Sequence, residues 1–258
     1  MGSRISAVLA GASVLITRPV GHGQALAARV RACGGEARLL PGVALRPAVD
    51  AVAATAALRA ALAGDVVVFT SPAAVQFAAR LAPLRGRACI ATVGRGTAAA
   101  LARHGVRDVW LPATTQDSEG LLAHPHLRRL RDRRVAVVGA PGGRGVLQRE
   151  IAARGARLSR VHVYCRVPAR LDARHARILA SLQGVAYTLL SSAETLRCLQ
   201  QALDAESRAR LLATHAVVSS ERIQRLAGQA GFCRVSVAAS ALSADLLGKT
   251  VQLHASTG

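Results

Sequence analysis

The sequence contains two copies of one pattern, in which an apolar strand leads into a glycine-containing loop and then into a helix. The strand at residues 14–16 recurs at residues 135–138, and the same offset of 121 positions aligns Gly34 with Gly155. Self-similarity over so long a period indicates two copies of one fold. We therefore expect two lobes, with a ligand bound in the cleft between them.

Two further segments recur, and their order along the chain predicts how the lobes are assembled. Val66–Phe69 corresponds to Val185–Leu190, and residues 90–94 correspond to residues 216–220. We interpret the copies as interleaved rather than placed in tandem, so that the chain begins lobe 1, builds all of lobe 2 and returns to complete lobe 1. The predicted boundaries are residues 1–38 and 169–258 for lobe 1, 48–157 for lobe 2, and 39–47 and 158–168 for two connecting strands.

The apolar runs predict an α/β fold. Strands buried on both faces of a parallel sheet read as unbroken apolar segments, as Val66–Phe69 does, and here they alternate with helical stretches rich in Ala, Leu and Arg. We predict two doubly wound parallel-sheet lobes joined by a two-stranded β connector, with lobe 1 built from both chain ends. Two thin connectors side by side would form a hinge.

The net charge of +20 favours an anionic ligand, but it does not indicate a nucleic-acid-binding protein. Proteins that bind single strands stack bases on aromatic side chains, and only 2% of these residues are aromatic. The odd number of widely spaced cysteines, five, is typical of free thiols in a reducing compartment. No apolar run approaches the length of a membrane span. We expect a cytoplasmic monomer that binds neither nucleic acid nor membrane.

Two motifs that resemble binding sites lack essential parts. The glycine-rich loop at residues 139–145 has neither the Lys-Ser/Thr ending of a P-loop nor an acidic ribose partner, although it could hold an anion. His124 and His126 have metal-ligand spacing, but third and fourth ligands at fixed spacing are missing, which favours a solvated loop. We predict no metal.

Small hydroxyl residues follow several predicted strands, where ligands bind to open parallel sheets. Each one can equally be a helix N-cap, and both interpretations stay open for any single residue. Their recurrence in both lobes favours a shared cleft lined with hydroxyl and helix N–H groups. The set consists of Thr17, Ser71, Ser191, Ser192, Ser219 and Ser220.

Seven short motifs follow one another along most of the chain, at residues 15–19, 34–41, 69–72, 93–98, 117–122, 142–144 and 163–164. Together they resemble the uroporphyrinogen-III synthase family. Two positions depart from the family pattern, since Gly139 stands where relatives often have Arg and Ala73 where they usually have Asn. The resemblance implies two α/β lobes joined by a two-stranded ladder, as the repeats predict independently.

The resemblance also implies a reaction. The family closes linear hydroxymethylbilane to uroporphyrinogen III, with inversion of the last pyrrole ring and without metal or cofactor. Loss of hydroxide gives a cation stabilised by the pyrrole nitrogen, and a spiro intermediate then rearranges. Because the substrate closes without inversion when left alone, holding its conformation is the main catalytic task. The alternative is a two-lobed protein that binds an anionic tetrapyrrole without chemistry, or an inactive paralogue.

By the same resemblance Tyr164 is the candidate proton donor to the departing hydroxyl, and the alternative is a tyrosine that only packs against its connector. The substrate carries eight carboxylates, which suits amides, hydroxyls and arginines at strand ends. The predicted substrate-binding residues are Thr17, Arg18, Ser71, Gly94, Thr97, Gly143, Arg144, Ser191, Ser192 and Ser219.

Overall fold

The fold was obtained as a computed structural model, which describes residues 7–112, 118–142 and 145–256. The chain divides into lobe 1, made of Met1–Leu45 and Val167–Gly258, and lobe 2, made of Arg46–Arg166. The predicted α/β class and the construction of lobe 1 from both chain ends are confirmed.

Lobe 1 contains, within the described residues, a parallel sheet of strands β1 (Ala12–Ile16), β2 (Glu36–Leu39), β10 (Val185–Leu190), β11 (His215–Val218) and β12 (Arg234–Val237), in the order β2-β1-β10-β11-β12. Its helices are α1 (Gln24–Ala32), α7 (Ala173–Ala180), α8 (Ala193–Ala202), α9 (Ala205–Leu212), α10 (Glu221–Ala230) and α11 (Ser243–Ala255).

Both faces of this sheet are buried, which explains why its strands are apolar without alternation. Val14 and Ile16 of β1 pack in one cluster with Leu26 of α1, while Leu15 packs in the opposite cluster with Leu196 of α8. Successive strand residues point to opposite faces, so an apolar run of this kind needs helices on both sides. Lobe 1 is therefore doubly wound.

Lobe 2 has a second parallel sheet within the described residues, formed by β4 (Val66–Phe69), β5 (Cys89–Thr92), β6 (Val109–Trp110), β7 (Arg134–Gly139) and β8 (Arg157–His162), in the order β6-β5-β4-β7-β8. Its helices are α2 (Ala51–Leu62), α3 (Pro72–Leu81), α4 (Arg95–Arg103), α5 (Ser118–Leu122) and α6 (Val146–Ala153), with a 3₁₀ turn at Pro125–Leu127. Val66 and Val135 pack in one core with Leu147 and Ile151 of α6.

The two sheets have the same strand order once their strands are matched by the sequence repeat. β7 and β8 take the places of β1 and β2, and β4, β5 and β6 take the places of β10, β11 and β12. Along the chain the strands therefore form two successive sets, so the interpretation of an interleaved sequence was wrong. The copies are in tandem, and each sheet combines the first two strands of one repeat with the last three of the other.

The chain passes between the lobes within β3 (Val43–Pro47) and β9 (Tyr164–Pro168), which form a separate two-stranded antiparallel sheet. Residues 158–162, which the sequence analysis assigned to a connecting strand, belong to β8 and pair with β7. The connecting segments are correspondingly short.

Two glycines of the repeat share a conformation that explains their recurrence. Gly34 follows α1 with φ of +80°, and Gly155 follows α6 with φ of +78°. This left-handed region strains any residue with a β-carbon, and a glycine there ends the helix after the first strand of each repeat. None of the described helices is both long and apolar enough to span a bilayer.

Candidate functional site

Each sheet has one position beyond its carboxyl edge where a ligand is expected from topology. In this strand order the helices that follow the two central strands leave toward opposite faces, and a crevice opens between them. In lobe 1 the two strands are β1 and β10, and in lobe 2 they are β7 and β4. Most of the predicted site residues lie at these edges.

In lobe 1 the structure places predicted hydroxyl residues beyond three neighbouring strands. The buried Thr17 hydroxyl donates to the carbonyl oxygen of Leu189 at 2.6 Å, so it ties the end of β1 to β10. Ser192 is the N-cap of α8, while Ser191 and Ser219 are half-buried. The Ser219 amide donates to the Leu190 carbonyl at 3.1 Å, which holds the ends of β10 and β11 together.

Arg18 brings a positive charge to the same edge. Its guanidinium donates to the carbonyl oxygen of Ala241 and lies 3.5 Å from the Ser243 hydroxyl oxygen. Burial lowers the pKa of Arg18 from its ordinary value, but an arginine stays charged at any physiological pH. A half-buried cation held in place by backbone is suited to a carboxylate ligand.

In lobe 2 the structure brings Tyr164 and Ser71 together. The phenol oxygen of Tyr164 lies 3.3 Å from the Ser71 hydroxyl oxygen, although the residues are 93 positions apart in sequence. Ser71 is the N-cap of α3, and its hydroxyl oxygen accepts the Ala74 amide at 3.1 Å. A phenol hydrogen-bonded at the end of a helix can act as a proton donor.

Two residues that sequence reasoning missed hold the Tyr164 ring. The Phe77 ring stacks on it with centroids 5.3 Å apart and 15° between the planes, and the Arg166 guanidinium lies 5.8 Å from the centroid of the Tyr164 ring. Tyr164 is 3% exposed as a result. The position of Arg166 could have been found, because residues two apart on a strand share a face and Tyr164 begins β9.

The remaining predicted residues of lobe 2 are less informative. Gly94 is the N-cap of α4 with extended backbone, and the buried Thr97 donates its amide to the Gly94 carbonyl. Gly143 and Arg144 lie outside the described residues. Their predicted contacts with substrate stay predictions.

The Thr70 side chain explains why this chain has a glycine at position 139. A β-carbon at Gly139 would lie 2.5 Å from the Thr70 hydroxyl oxygen, which is closer than atoms can approach. That hydroxyl donates to the Val138 carbonyl at 3.1 Å, and the Gly139 carbonyl accepts the Val163 amide at 3.0 Å. The end of β7 is thus packed against the residue before Ser71 and joined to the residue before Tyr164.

His124 and His126 form an aromatic cluster with Trp110, the single tryptophan of the chain. The ring centroid of Trp110 lies 5.6 Å from that of His124 and 4.6 Å from that of His126. Burial and the nearby charge of His126 lower the pKa of His124. Across the residues that the structure covers, no three potential His, Cys, Asp or Glu ligands come together to hold a metal ion.

Comparison with known proteins agrees with the resemblance seen in the sequence. Residues 24–248 match the family described as uroporphyrinogen-III synthase HemD. Uroporphyrinogen-III synthase of Salmonella typhimurium is 30% identical over 91% of this chain and 98% of its own length, and that of Escherichia coli is 27% identical over the same shares.

Solved structures show the same fold. A mutant uroporphyrinogen III synthase from Thermus thermophilus superposes with a TM-score of 0.61 at 18% identity, over 96% of this chain and 100% of that chain. Uroporphyrinogen-III synthetase from Helicobacter pylori gives a TM-score of 0.58 at 11% identity, over 93% of this chain and 99% of that chain. By its sequence match over most of its length, this chain belongs to the uroporphyrinogen-III synthase family.

Proposed function

We propose that this protein closes hydroxymethylbilane to uroporphyrinogen III with inversion of the last pyrrole ring, and that it is a cyclising hydro-lyase of tetrapyrrole biosynthesis. Family membership supports the reaction. The observation that carries the residue assignment is the buried Tyr164 ring, whose hydroxyl lies beside Ser71 at the carboxyl edge of the lobe 2 sheet.

In the proposed reaction Tyr164 gives its proton to the departing hydroxyl of the substrate. The C–O bond breaks, its electron pair leaves with the oxygen as water, and the pyrrole nitrogen stabilises the cation that remains. A ring carbon attacks this cation, and the spiro intermediate rearranges to the inverted ring. In the last step a ring carbon loses a proton. This proton is taken up by the Tyr164 oxygen, which restores the tyrosine for the next cycle.

Strand-end amides, hydroxyls and cations are suited to the eight carboxylates of the substrate. Arg18 supplies a half-buried cation, while Ser192 and Ser71 lie at the N-termini of helices, where unpaired N–H groups favour anions. These contacts and those of the other predicted binding residues are part of the proposal. The cytoplasmic location is also a proposal, which the five free thiols support. The monomeric state stays a prediction.

The direct test supplies hydroxymethylbilane and separates the type I and type III isomers of uroporphyrinogen by chromatography. We expect type III product, faster than spontaneous closure to type I. Only type I product, formed at the uncatalysed rate, would refute the proposed function and favour a non-catalytic binding protein.

Tyr164→Phe tests the proton donor. General-acid assistance is worth about 100- to 10,000-fold, and we expect the low end or less because the pyrrole nitrogen already drives the departure. Affinity for product should change little, since the Phe ring still stacks on Phe77. Tyr187, the other tyrosine of the chain, is buried in lobe 1, so Tyr187→Phe is the matched control and should keep full activity.

A further inference from the structure

The hydroxyl of Ser71 can donate one proton and accept two hydrogen bonds, and two groups of the described residues lie within reach of it. Its backbone is extended at the N-cap of α3, and its oxygen accepts the Ala74 amide at 3.1 Å. The phenol oxygen of Tyr164 lies 3.3 Å away. Because the amide can only donate, the Ser71 proton is left free to donate elsewhere, and the Tyr164 oxygen is an acceptor within reach.

The helix α3 and its N-cap contact both the hydroxyl and the ring of Tyr164. Ser71 lies at the hydroxyl and Phe77, in the second turn of α3, stacks on the ring. A ring that is 3% exposed cannot swing away from this position without unpacking. The distance between the two hydroxyl oxygens is therefore set by the packing of α3 against the start of β9.

The direction of the hydrogen bond decides whether Tyr164 can act as an acid. If Ser71 donates, the phenol proton points away from Ser71 and is free for a ligand, and the bond stabilises the negative charge that forms on the oxygen when that proton leaves. If Tyr164 donates instead, its proton is bound to Ser71. The amide of Ala74 and the positive end of α3 both favour the first direction, because each raises the donor strength of the Ser71 hydroxyl.

We propose that Ser71 is a positioning residue that donates its proton to the Tyr164 oxygen and thereby directs the Tyr164 proton to the substrate. This inference rests on the proposed function, in which Tyr164 is the acid. It gives Ser71 a role that differs from the substrate contact predicted from the sequence, because Ser71 acts through Tyr164.

Ser71→Asp is the decisive variant. Asp is as good an N-cap as Ser, so α3 keeps its cap, but a carboxylate only accepts and would bind the phenol proton. We expect kcat to fall at least 10-fold, toward the value of Tyr164→Phe. KM should rise as well, because the new carboxylate repels the carboxylates of the substrate, so the loss of kcat is the readout for action through Tyr164. Ser71→Thr keeps the cap and the donor, and should stay within about 3-fold of the unchanged protein.

A double-mutant cycle separates action through Tyr164 from a direct effect. In the Tyr164→Phe background, Ser71→Asp should cause little further loss of kcat, because the proton that it would capture is gone. Asp204→Ala removes a cap from α9 and serves as the stability control, which should leave kcat unchanged. Losses that multiply in the double mutant, or a full kcat in Ser71→Asp, would overturn the inference.

Failure of the inference and failure of the proposed function give different results. If the unchanged protein forms type III product but Tyr164→Phe is fully active, both the acid and its positioning are refuted, while the reaction stands. If no type III forms, the reaction is refuted. Urea unfolding of Ser71→Ala, Tyr164→Phe and the double mutant then still measures whether the two hydroxyls are bonded, and additive shifts of the midpoint would overturn the positioning role.

Discussion

The contact between Gly139 and Thr70 allows one substitution to be worked through in energy. In Gly139→Ala the new methyl group would start 2.5 Å from the Thr70 hydroxyl oxygen, so the threonine must turn away and lose its bond to the Val138 carbonyl. Overpacking of this kind costs about 1–3 kcal/mol and the lost hydrogen bond about 0.5–1.5 kcal/mol. Replacing glycine by alanine also lowers the conformational entropy of the unfolded chain, which stabilises the folded protein by about 0.4–1 kcal/mol. The free energy of unfolding of lobe 2 should therefore fall by about 1–4 kcal/mol.

Urea unfolding followed by the fluorescence of Trp110 measures this loss, because the single tryptophan of the chain lies in lobe 2. With a slope of about 1–3 kcal/mol per molar urea, the midpoint should drop by roughly 1 M. Gly96→Ala is the matched control, since its β-carbon would meet only an ordinary contact with Pro72 at 3.8 Å. That change lies within α4 and should stabilise the lobe by about 0.5–1 kcal/mol.

Thr70→Ala should rescue Gly139→Ala. The hydroxyl oxygen is the cause of the clash, and the next Thr70 atom, its β-carbon, lies at 3.7 Å, an ordinary contact. The two changes should therefore couple by about 1–2 kcal/mol in the double mutant. Equal losses for Gly139→Ala in both backgrounds would show that the hydroxyl is not the obstacle and would refute this reasoning.

Two further predictions concern other parts of the chain. In His126→Gln, quenching of Trp110 fluorescence on acidification should have its midpoint below pH 6.5, because burial still lowers the pKa of His124; a midpoint at or above 6.5 would contradict this. The folded chain favours the neutral ring of His124, so as the pH falls through 6.5 the unfolded chain takes up the proton first. The free energy of unfolding of lobe 2 should therefore fall below that pH. Gly42→Ala should destabilise lobe 1 by about 1–3 kcal/mol in thermal unfolding followed by circular dichroism, because its β-carbon would lie 2.5 Å from the backbone carbonyl oxygen of Thr195. Thr195→Ser removes the Thr195 methyl group, which would lie 2.8 Å from the new β-carbon, but not the carbonyl oxygen, so it should restore only part of the loss.

The sequence was sufficient to predict three strands of each sheet, the repeat and the return of the chain to lobe 1, but not β6 or β12. These features depend on apolar runs and on glycines with a left-handed backbone, and both are visible residue by residue. The family was recognised from short motifs for the same reason. The order of the repeated segments already places the copies in tandem, and what depends on strand pairing is that each sheet takes strands from both copies.

Side-chain contacts within the site could not be predicted, because they depend on the register between distant strands. Phe69 pairs with Val138, and only this register places Thr70 beside Gly139. Ser71 and Tyr164 were both predicted as site residues, but their hydrogen bond spans 93 positions and requires the end of β4 to meet the start of β9. At Thr17 the position at a strand end predicts a hydroxyl that faces a ligand. In the structure this hydroxyl donates to the Leu189 carbonyl within the sheet.

The exchange of strands between the repeats sets the order in which the lobes can form during synthesis. Lobe 2 has all its strands once β8 and β9 have left the ribosome, whereas β1 must wait for β10, with which Ala12 pairs at Val185. Contacts so far apart in sequence form slowly, and until then the side of β1 that pairs with β10 stays open and prone to aggregation. If the chain were cut between β6 and β7, neither fragment alone would contain all the strands of either native sheet. The two fragments mixed together would contain the strands of both sheets. Lobe 1, to which β1 belongs, is therefore the last to have all its strands.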